Sequence, residues 1–179
     1  MRRTRIVYGI LSVIALILLS ALLSGCGYAL VGRTSTLPED VRNIYVEALK
    51  NTTRRSQLEQ VLSRAIADEF VTRRRFEVVS DRSQADGVLT GTVNLFAIRP
   101  VVFDESARAT EYEIVIGAAM QFARPGGAEI LWKQDRYSFR ELYEATVTEE
   151  DFFSRQDVAI EEVAKKFAET LVIDLLEGF

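Results

Sequence analysis

Thr110-Glu111-Tyr112-Glu113-Ile114-Val115-Ile116-Gly117-Ala118-Ala119-Met120-Gln121-Phe122 alternates apolar residues with polar or small ones over its whole length. Side chains of a strand point to opposite faces in turn. Tyr112, Ile114, Ile116, Ala118, Met120 and Phe122 therefore make one face, and Glu111, Glu113, Val115, Gly117, Ala119 and Gln121 the other. One face is buried and the other polar or small, the pattern of an antiparallel sheet solvated on one side. Downstream, Arg124-Pro125-Gly126-Gly127 fits a tight turn with Pro125 and Gly126 at its central positions. Ile130 to Arg140 then returns as the hairpin partner. Upstream, the period is also two from Asp86 onward: Leu89, Gly91, Val93 and Leu95 share one face, and Thr90, Thr92 and Asn94 the other.

Further out, the period lengthens. Leu58, Val61, Leu62, Ala65, Ile66 and Phe70 recur at three- and four-residue steps, an amphipathic helix whose stripe must meet a core. Asn51, Thr52 and Thr53 offer its N-terminal cap, and Arg73, Arg74 and Arg75 complement the negative end of its dipole. Asn43 to Leu49 and Phe76 to Ser80 read as short strands on either side of it, with a turn or single helical turn at Ser83 to Ala85. Two strands joined by a crossover helix in one sheet run parallel. A second helical stripe follows at Ile160, Val163, Ala164, Phe167, Leu171 and Leu175. Both stripes are buried if the helices lie on one sheet face. The expected fold is an α+β two-layer sandwich: a mixed, mostly antiparallel sheet of four to five strands with two helices on one face.

The first 25 residues read differently. Arg2, Arg3 and Arg5 precede an almost unbroken apolar stretch from Ile6 to Leu19, and Leu23-Ser24-Gly25-Cys26 closes it with small residues before the single cysteine of the chain. This resembles the lipobox of bacterial lipoproteins. The resemblance implies a signal peptide at 1–25, cleaved before a Cys26 that carries covalent lipid, a lipidated tether at 26–40 and one domain at 41–179. The alternative is a permanent transmembrane helix, since Ile6 to Leu23 approaches the roughly 20 residues a span needs. Gly25-Cys26-Gly27 argues against it by breaking the helix where length is still wanted. Gly27 after the cysteine, in place of an Asp that retains lipoproteins at the inner membrane, resembles the outer-membrane class.

Composition narrows the chemistry. The chain carries 22 basic and 26 acidic residues. Removing residues 1–25 takes three arginines and no acid, which leaves a net charge of −7. Such a domain repels a phosphate backbone, so nucleic acid is not an expected partner. With no histidine and one cysteine, no metal site of the common kind and no disulfide is expected. Glu149-Glu150-Asp151 and Glu161-Glu162 do not make a catalytic pair, because neighbours on a helix point about 100° apart. The sequence offers no Ser-His-Asp set and no phosphate loop, so no enzyme is expected.

Cys26-Gly27-Tyr28-Ala29-Leu30-Val31-Gly32 matches the C-G-Y-x-L-x-G start of the LptE family of lipopolysaccharide-assembly lipoproteins. The likeness runs on through Leu37-Pro38, Asn51-Thr52, Val78-Val79-Ser80, Ala85-Asp86 and Leu89-Thr90-Gly91-Thr92-Val93. Part of this middle pattern also resembles curli-secretion lipoproteins and the N-terminal domain of TolB. The LptE resemblance implies a non-enzymatic lipoprotein at the periplasmic face of the outer membrane. It implies a partner, the β-barrel LptD, which it plugs and helps to assemble, and lipopolysaccharide as ligand. The second resemblance implies instead an envelope adaptor or secretion-accessory lipoprotein that binds protein partners only.

Two groups of residues are candidates for contact. Phe96, Ile98, Val101, Val102 and Phe103, read as the turn region between two long strands, are more apolar than a solvated turn requires and suit packing inside a barrel partner. Alternatively, the strands continue through them into the core. Arg99, Lys133 and Arg136 lie on or near the sheet and are cations of the kind that lipid phosphates need; the alternative is ordinary exposed charge. In a regular strand Lys133 shares a face with Asp135, and Arg136 lies opposite. Trp132 reads as a core or sheet-face residue.

Overall fold

The computed structural model describes residues 37–127, 129–144 and 156–178. Cys26, the expected signal peptide and Glu149-Glu150-Asp151 lie outside them. The elements in chain order are β1 (Asn43–Val46), β2 (Lys50–Asn51), α1 (Leu58–Thr72), β3 (Glu77–Val78), β4 (Gly87–Phe103), β5 (Ala109–Ala123), β6 (Ile130–Glu144) and α2 (Gln156–Glu177). They form one sheet in the order β3-β1-β4-β5-β6, with β2 also paired to β4. β1 is parallel to both β3 and β4, whereas β4, β5 and β6 form an antiparallel meander. The fold is the expected α+β arrangement, and β2 is a two-residue addition.

The alternation of β5 holds. Ile114, Ile116, Ala118, Met120 and Phe122 are at most 1% exposed. Against them pack Leu58, Leu62, Ile66 and Phe70 of α1 and Val163, Phe167, Leu171 and Leu175 of α2. Burial of each such large side chain contributes about 1.5–3 kcal/mol. Leu37 is buried with Val41 in the same core, so the end of the expected tether packs with the domain. At the hairpin, Gly127 N donates to Arg124 O (2.9 Å) and Gly126 takes φ 78°. That positive φ at the third turn position is what glycine supplies.

Three local expectations are corrected. Asn51, Thr52 and Thr53 do not cap α1, which starts at Leu58 without a side-chain cap. Asn51 instead shapes the loop: it accepts from Thr53 N (2.9 Å) and donates to Arg55 O and Glu59 Oε2 (2.7 Å each). Arg73, Arg74 and Arg75 fall just past the helix rather than in its last turn. Arg73 pairs with Glu69 (2.6 Å), and Arg75 donates to the carbonyl of Pro38 (3.3 Å).

The third correction concerns β4. Its register against β5 shifts between Val93, opposite Ala118, and Leu95, opposite Gly117. The extra residue, Asn94, is a bulge that reverses the alternation beyond it. Leu95, expected on the buried face with Val93, is 47% exposed, and Phe96 and Ile98 pack on the core instead. A Cβ on Gly117 would stand 2.9 Å from the Leu95 Cβ, so the bulge needs a glycine beneath it.

Candidate functional site

Among the described residues, no polar or charged residue is buried, no buried side-chain polar atom lacks a hydrogen bond, and no three metal-ligating side chains gather. No helix among them is long and apolar enough to cross a membrane. The polar and charged groups of the described residues are therefore at least partly exposed, on the helices as well as on the sheet face turned away from them.

The shifted ionisations support the frame rather than a reacting centre. Asp86 accepts from the backbone N–H of Asn43 (2.8 Å) and Arg42 (3.1 Å), and these bonds hold its carboxyl below the usual range. Asp104 is lowered by the N–H of Arg108 first, then by that of Ser106, and closes the β4–β5 turn. Burial raises the Tyr137 phenol, aided by its donation to Asp174 Oδ2 (2.9 Å). The Lys166 ammonium is raised by its bond to Glu141 Oε1 (2.6 Å). Together with Phe167, which meets Tyr137 and Phe139 edge-on at 5.7 Å each, these two bonds fasten α2 to β6.

The five apolar candidates do not form a turn. β4 runs through them to Phe103, and the reversal is made by Asp104 to Arg108. They split into two groups. Phe96 and Ile98 pack against the core, while Val101, Val102 and Phe103 are 44%, 45% and 56% exposed near the end of the hairpin. Register shifts on both sides of Val102 bend this end away from regular alternation.

The three cations also divide. Arg99 lies opposite Glu113 on β5 and Lys133 opposite Gln121, eight residues further on. That is about 27 Å along the strand. Arg99 is, moreover, paired with Glu113 at 2.7 Å. Arg136 is not on the face that a regular strand gives it. β6 steps from Gln134, opposite Met120, to Tyr137, opposite Ala118, with two residues between. This bulge exposes both Asp135 and Arg136, and counting back from the inward Tyr137 turns Arg136 to the outer face with Lys133. Trp132 is 6% exposed and belongs to the core.

What the sequence reading missed is the groove beside Lys133. A concavity of about 430 Å³ opens on this outer face, lined by Glu47, Lys50, Arg82, Thr90, Thr92 and Gln121 with Lys133 and Asp135. The outward set Thr90 and Thr92 was legible in the alternation, but nothing in the sequence placed Lys50 or Arg82 beside it. β2 does so by pairing Lys50 with Thr92.

The family model for LptE, "Lipopolysaccharide-assembly", matches residues 41–175. No curated protein matches the chain. Solved structures with the same fold include an uncharacterized lipoprotein B from Nitrosomonas europaea, 15% identical, with a TM-score of 0.53 over 84% of this chain and 90% of that one. Another is the PelC dodecamer from Paraburkholderia phytofirmans, 14% identical, TM-score 0.51, covering 78% and 92%. The hypothetical protein CT253 from Chlamydia trachomatis is 7% identical, with a TM-score of 0.51, covering 78% and 97%. At such identities the likeness is one of fold.

Proposed function

The chain belongs to the LptE lipopolysaccharide-assembly family, and from that premise we propose that it is an outer-membrane lipoprotein that plugs and helps to assemble an LptD-type β-barrel and takes part in lipopolysaccharide transport to the cell surface. Cys26 is its lipidated first residue, and the domain faces the periplasm. Several acyl chains on one residue hold it at the membrane, since each buried CH₂ contributes about 0.8 kcal/mol and one chain alone binds only marginally. The role is one of binding and assembly, without turnover.

The observation that carries this reading is the family match over 41–175, which spans all the strands and nearly all of α2. The projecting hairpin supports it. Val101, Val102 and Phe103 are large apolar side chains left in solvent at the far end of a 17-residue strand. Such exposure marks a contact surface, and the wall of a barrel lumen is the contact it suits.

The test is a mild-detergent pull-down of the tagged full chain from membranes, with identification of co-purified proteins. A large β-barrel is expected; a soluble or inner-membrane partner in its place would favour the adaptor role. Replacing Val101 and Phe103 by Ser is expected to leave the fold intact and to lose the barrel. Cys26→Ser is expected to remove the lipid mass and the protein from the outer-membrane fraction.

A further inference from the structure

β6 is the last strand of the sheet, and no strand among the described residues lies beyond it. Every second residue of an antiparallel strand turns its N–H and C=O away from its partner, so the far side of β6 carries main-chain groups with no ladder to join. The two free edges of the meander differ. Beyond its pairing with β2, β4 carries Pro100, which has no N–H, and register shifts on both sides of Val102. Such features block the addition of a strand. β6 has its bulge at Asp135 and Arg136, but from Tyr137 to Glu144 its register against β5 is unbroken, without proline or glycine. A regular stretch of eight residues is thus left open at this edge.

The outer side chains of this stretch are Ser138, Arg140, Leu142 and Glu144, opposite Gly117, Val115, Glu113 and Glu111 of β5, and all four are exposed. Leu142 is 57% exposed, an aliphatic side chain in an otherwise polar row. Arg140 stands 3.9 Å from Glu113, a carboxylate that Arg99 already holds at 2.7 Å. Glu144 has no ion pair among the described residues. Charges that guard an edge repel a second copy. Arg140 and Glu144, of opposite sign and two residues to either side of Leu142, attract one.

The register of such a pair follows from the charges. A two-fold axis normal to the sheet keeps every side chain on its own face, so the axis passes through a residue. Like charges set directly opposite destabilise a strand pair, and opposite charges contribute about 0.2–1 kcal/mol. Axes at Ser138, Arg140 and Glu141 set like charges face to face: Arg136 to Arg140, Arg140 to itself and Glu141 to itself. An axis at Phe139 sets Arg140 against Ser138 and pairs no charge. An axis at Leu142 sets Leu142 against Leu142 and both arginines at 140 against the glutamates at 144.

We propose that two copies of this chain pair through the outer edge of β6, antiparallel about a two-fold axis at Leu142. Arg140 of each copy meets Glu144 of the other, and the two Leu142 side chains cover each other. On the inner face Glu141, already neutralised by Lys166 at 2.6 Å, stands opposite Tyr143. The two six-stranded sheets become one, with the helices of both copies on the same side. An edge this short buries less than the roughly 1,000 Å² of a stable interface, so the pair is a transient one. The inference goes beyond the barrel role and does not depend on it.

The test is disulfide trapping in membranes that carry the full-length chain. Directly opposite residues of an antiparallel pair lie about 4.5–5.5 Å apart at Cα, within the reach of a disulfide. Leu142→Cys is therefore expected to give a band of twice the chain mass on oxidation with copper phenanthroline. Ser138→Cys lies four residues from the axis, so its two copies stand about 27 Å apart, and it is expected to give none. It also controls for Cys26, the single native cysteine. Added to Leu142→Cys, Glu144→Arg sets like charges opposite each other at both ends and is expected to lower the trapped fraction about tenfold. Adding Arg140→Glu as well restores opposite charges and is expected to recover most of the dimer, which a folding defect would not allow. No dimer from Leu142→Cys, an equal yield from Ser138→Cys, or a yield indifferent to the charge changes overturns the proposal. A Leu142→Cys chain joined to a different protein in place of its own copy assigns the edge to a foreign strand and overturns the self-pairing.

Discussion

Gly87→Ala is expected to destabilise the domain through one side chain. Gly87 opens β4 and lies diagonally across from Phe122, which is opposite Leu89 and fully buried. A Cβ at position 87 would stand 2.2 Å from Cζ of that ring and 2.9 and 3.0 Å from its two ε carbons. Carbon atoms rest at about 3.5–4.0 Å, so the ring must retreat by more than about 1 Å inside a packed core. Forcing a methyl into such a core costs about 1–3 kcal/mol. No positive φ is required of Gly87, so backbone strain adds nothing. For a domain of this size each kcal/mol shifts Tm by about 2–4 °C, which gives a fall of roughly 2–12 °C. The single tryptophan, Trp132, is the direct partner of Phe122 on β6 and reports the change in urea unfolding followed by fluorescence. Phe122→Leu alone is expected to cost about 1–2 kcal/mol. If the ring is the obstacle, the double variant Gly87→Ala/Phe122→Leu falls short of the sum of the singles by about 1 kcal/mol. Strict additivity, or a Gly87→Ala protein as stable as wild type, would refute the reasoning.

The β4 bulge makes Leu95→Ser nearly neutral, within about 0.5 kcal/mol, and Val93→Ser costly by about 2 kcal/mol or more; similar urea midpoints for the two would mean that the strand is regular. Asp86 has a folded-state carboxyl lowered below its ordinary value, so the stability it contributes is present above the unfolded value near pH 4 and lost as pH falls through the folded one. Asp86→Asn should therefore be less stable at pH 7, by about 1–2 kcal/mol, and should lose less on acidification than wild type in urea titrations from pH 7 to 3. Tyr137→Phe removes the bond to Asp174 and should cost about 1 kcal/mol. Hydrogen exchange in α2 should rise, whereas exchange in α1 stays as it was.

The sequence disclosed what depends on periodicity. The inward faces of β5 and of both helices were legible residue by residue, because burying one face selects apolar side chains at a fixed step. The Pro125-Gly126 turn was legible because only glycine takes φ 78° freely. The contact candidates were less so. Val101, Val102 and Phe103 look the same in sequence whether a strand or a turn contains them, and what exposes them is the reach of β4 beyond the elements that cover its first half. The start of α1 was displaced because Asn51 and Thr53 bond their own loop as readily as a helix end.

Bulges account for the rest, and they bear directly on the site. A bulge inserts one residue and leaves composition untouched, so a period of two carried past Asn94 assigns Leu95 to the core, and a period carried past Asp135 assigns Arg136 to the wrong face. The error reverses every later residue of the strand. Yet each bulge places its change on the outer face: one lifts Leu95 over Gly117, the other sets Asp135 and Arg136 outward together beside Lys133. The inner face keeps its apolar continuity, because each strand resumes alternation in phase with its neighbour on β5. At these two bulges the irregularity falls on the side that does not hold the fold. There a shift of register costs little stability and regroups charge. Deleting Asn94 isolates that effect. The prediction is that Val93 opposite Ala118 then passes directly to Leu95 opposite Gly117, so that Leu95 stays outward, Phe96 and Ile98 stay on the core, and β4 keeps its protection on both sides of the deletion. Loss of hydrogen-exchange protection from Leu95 onward in the deletion variant would refute the reading of Asn94 as the one extra residue opposite Gly117.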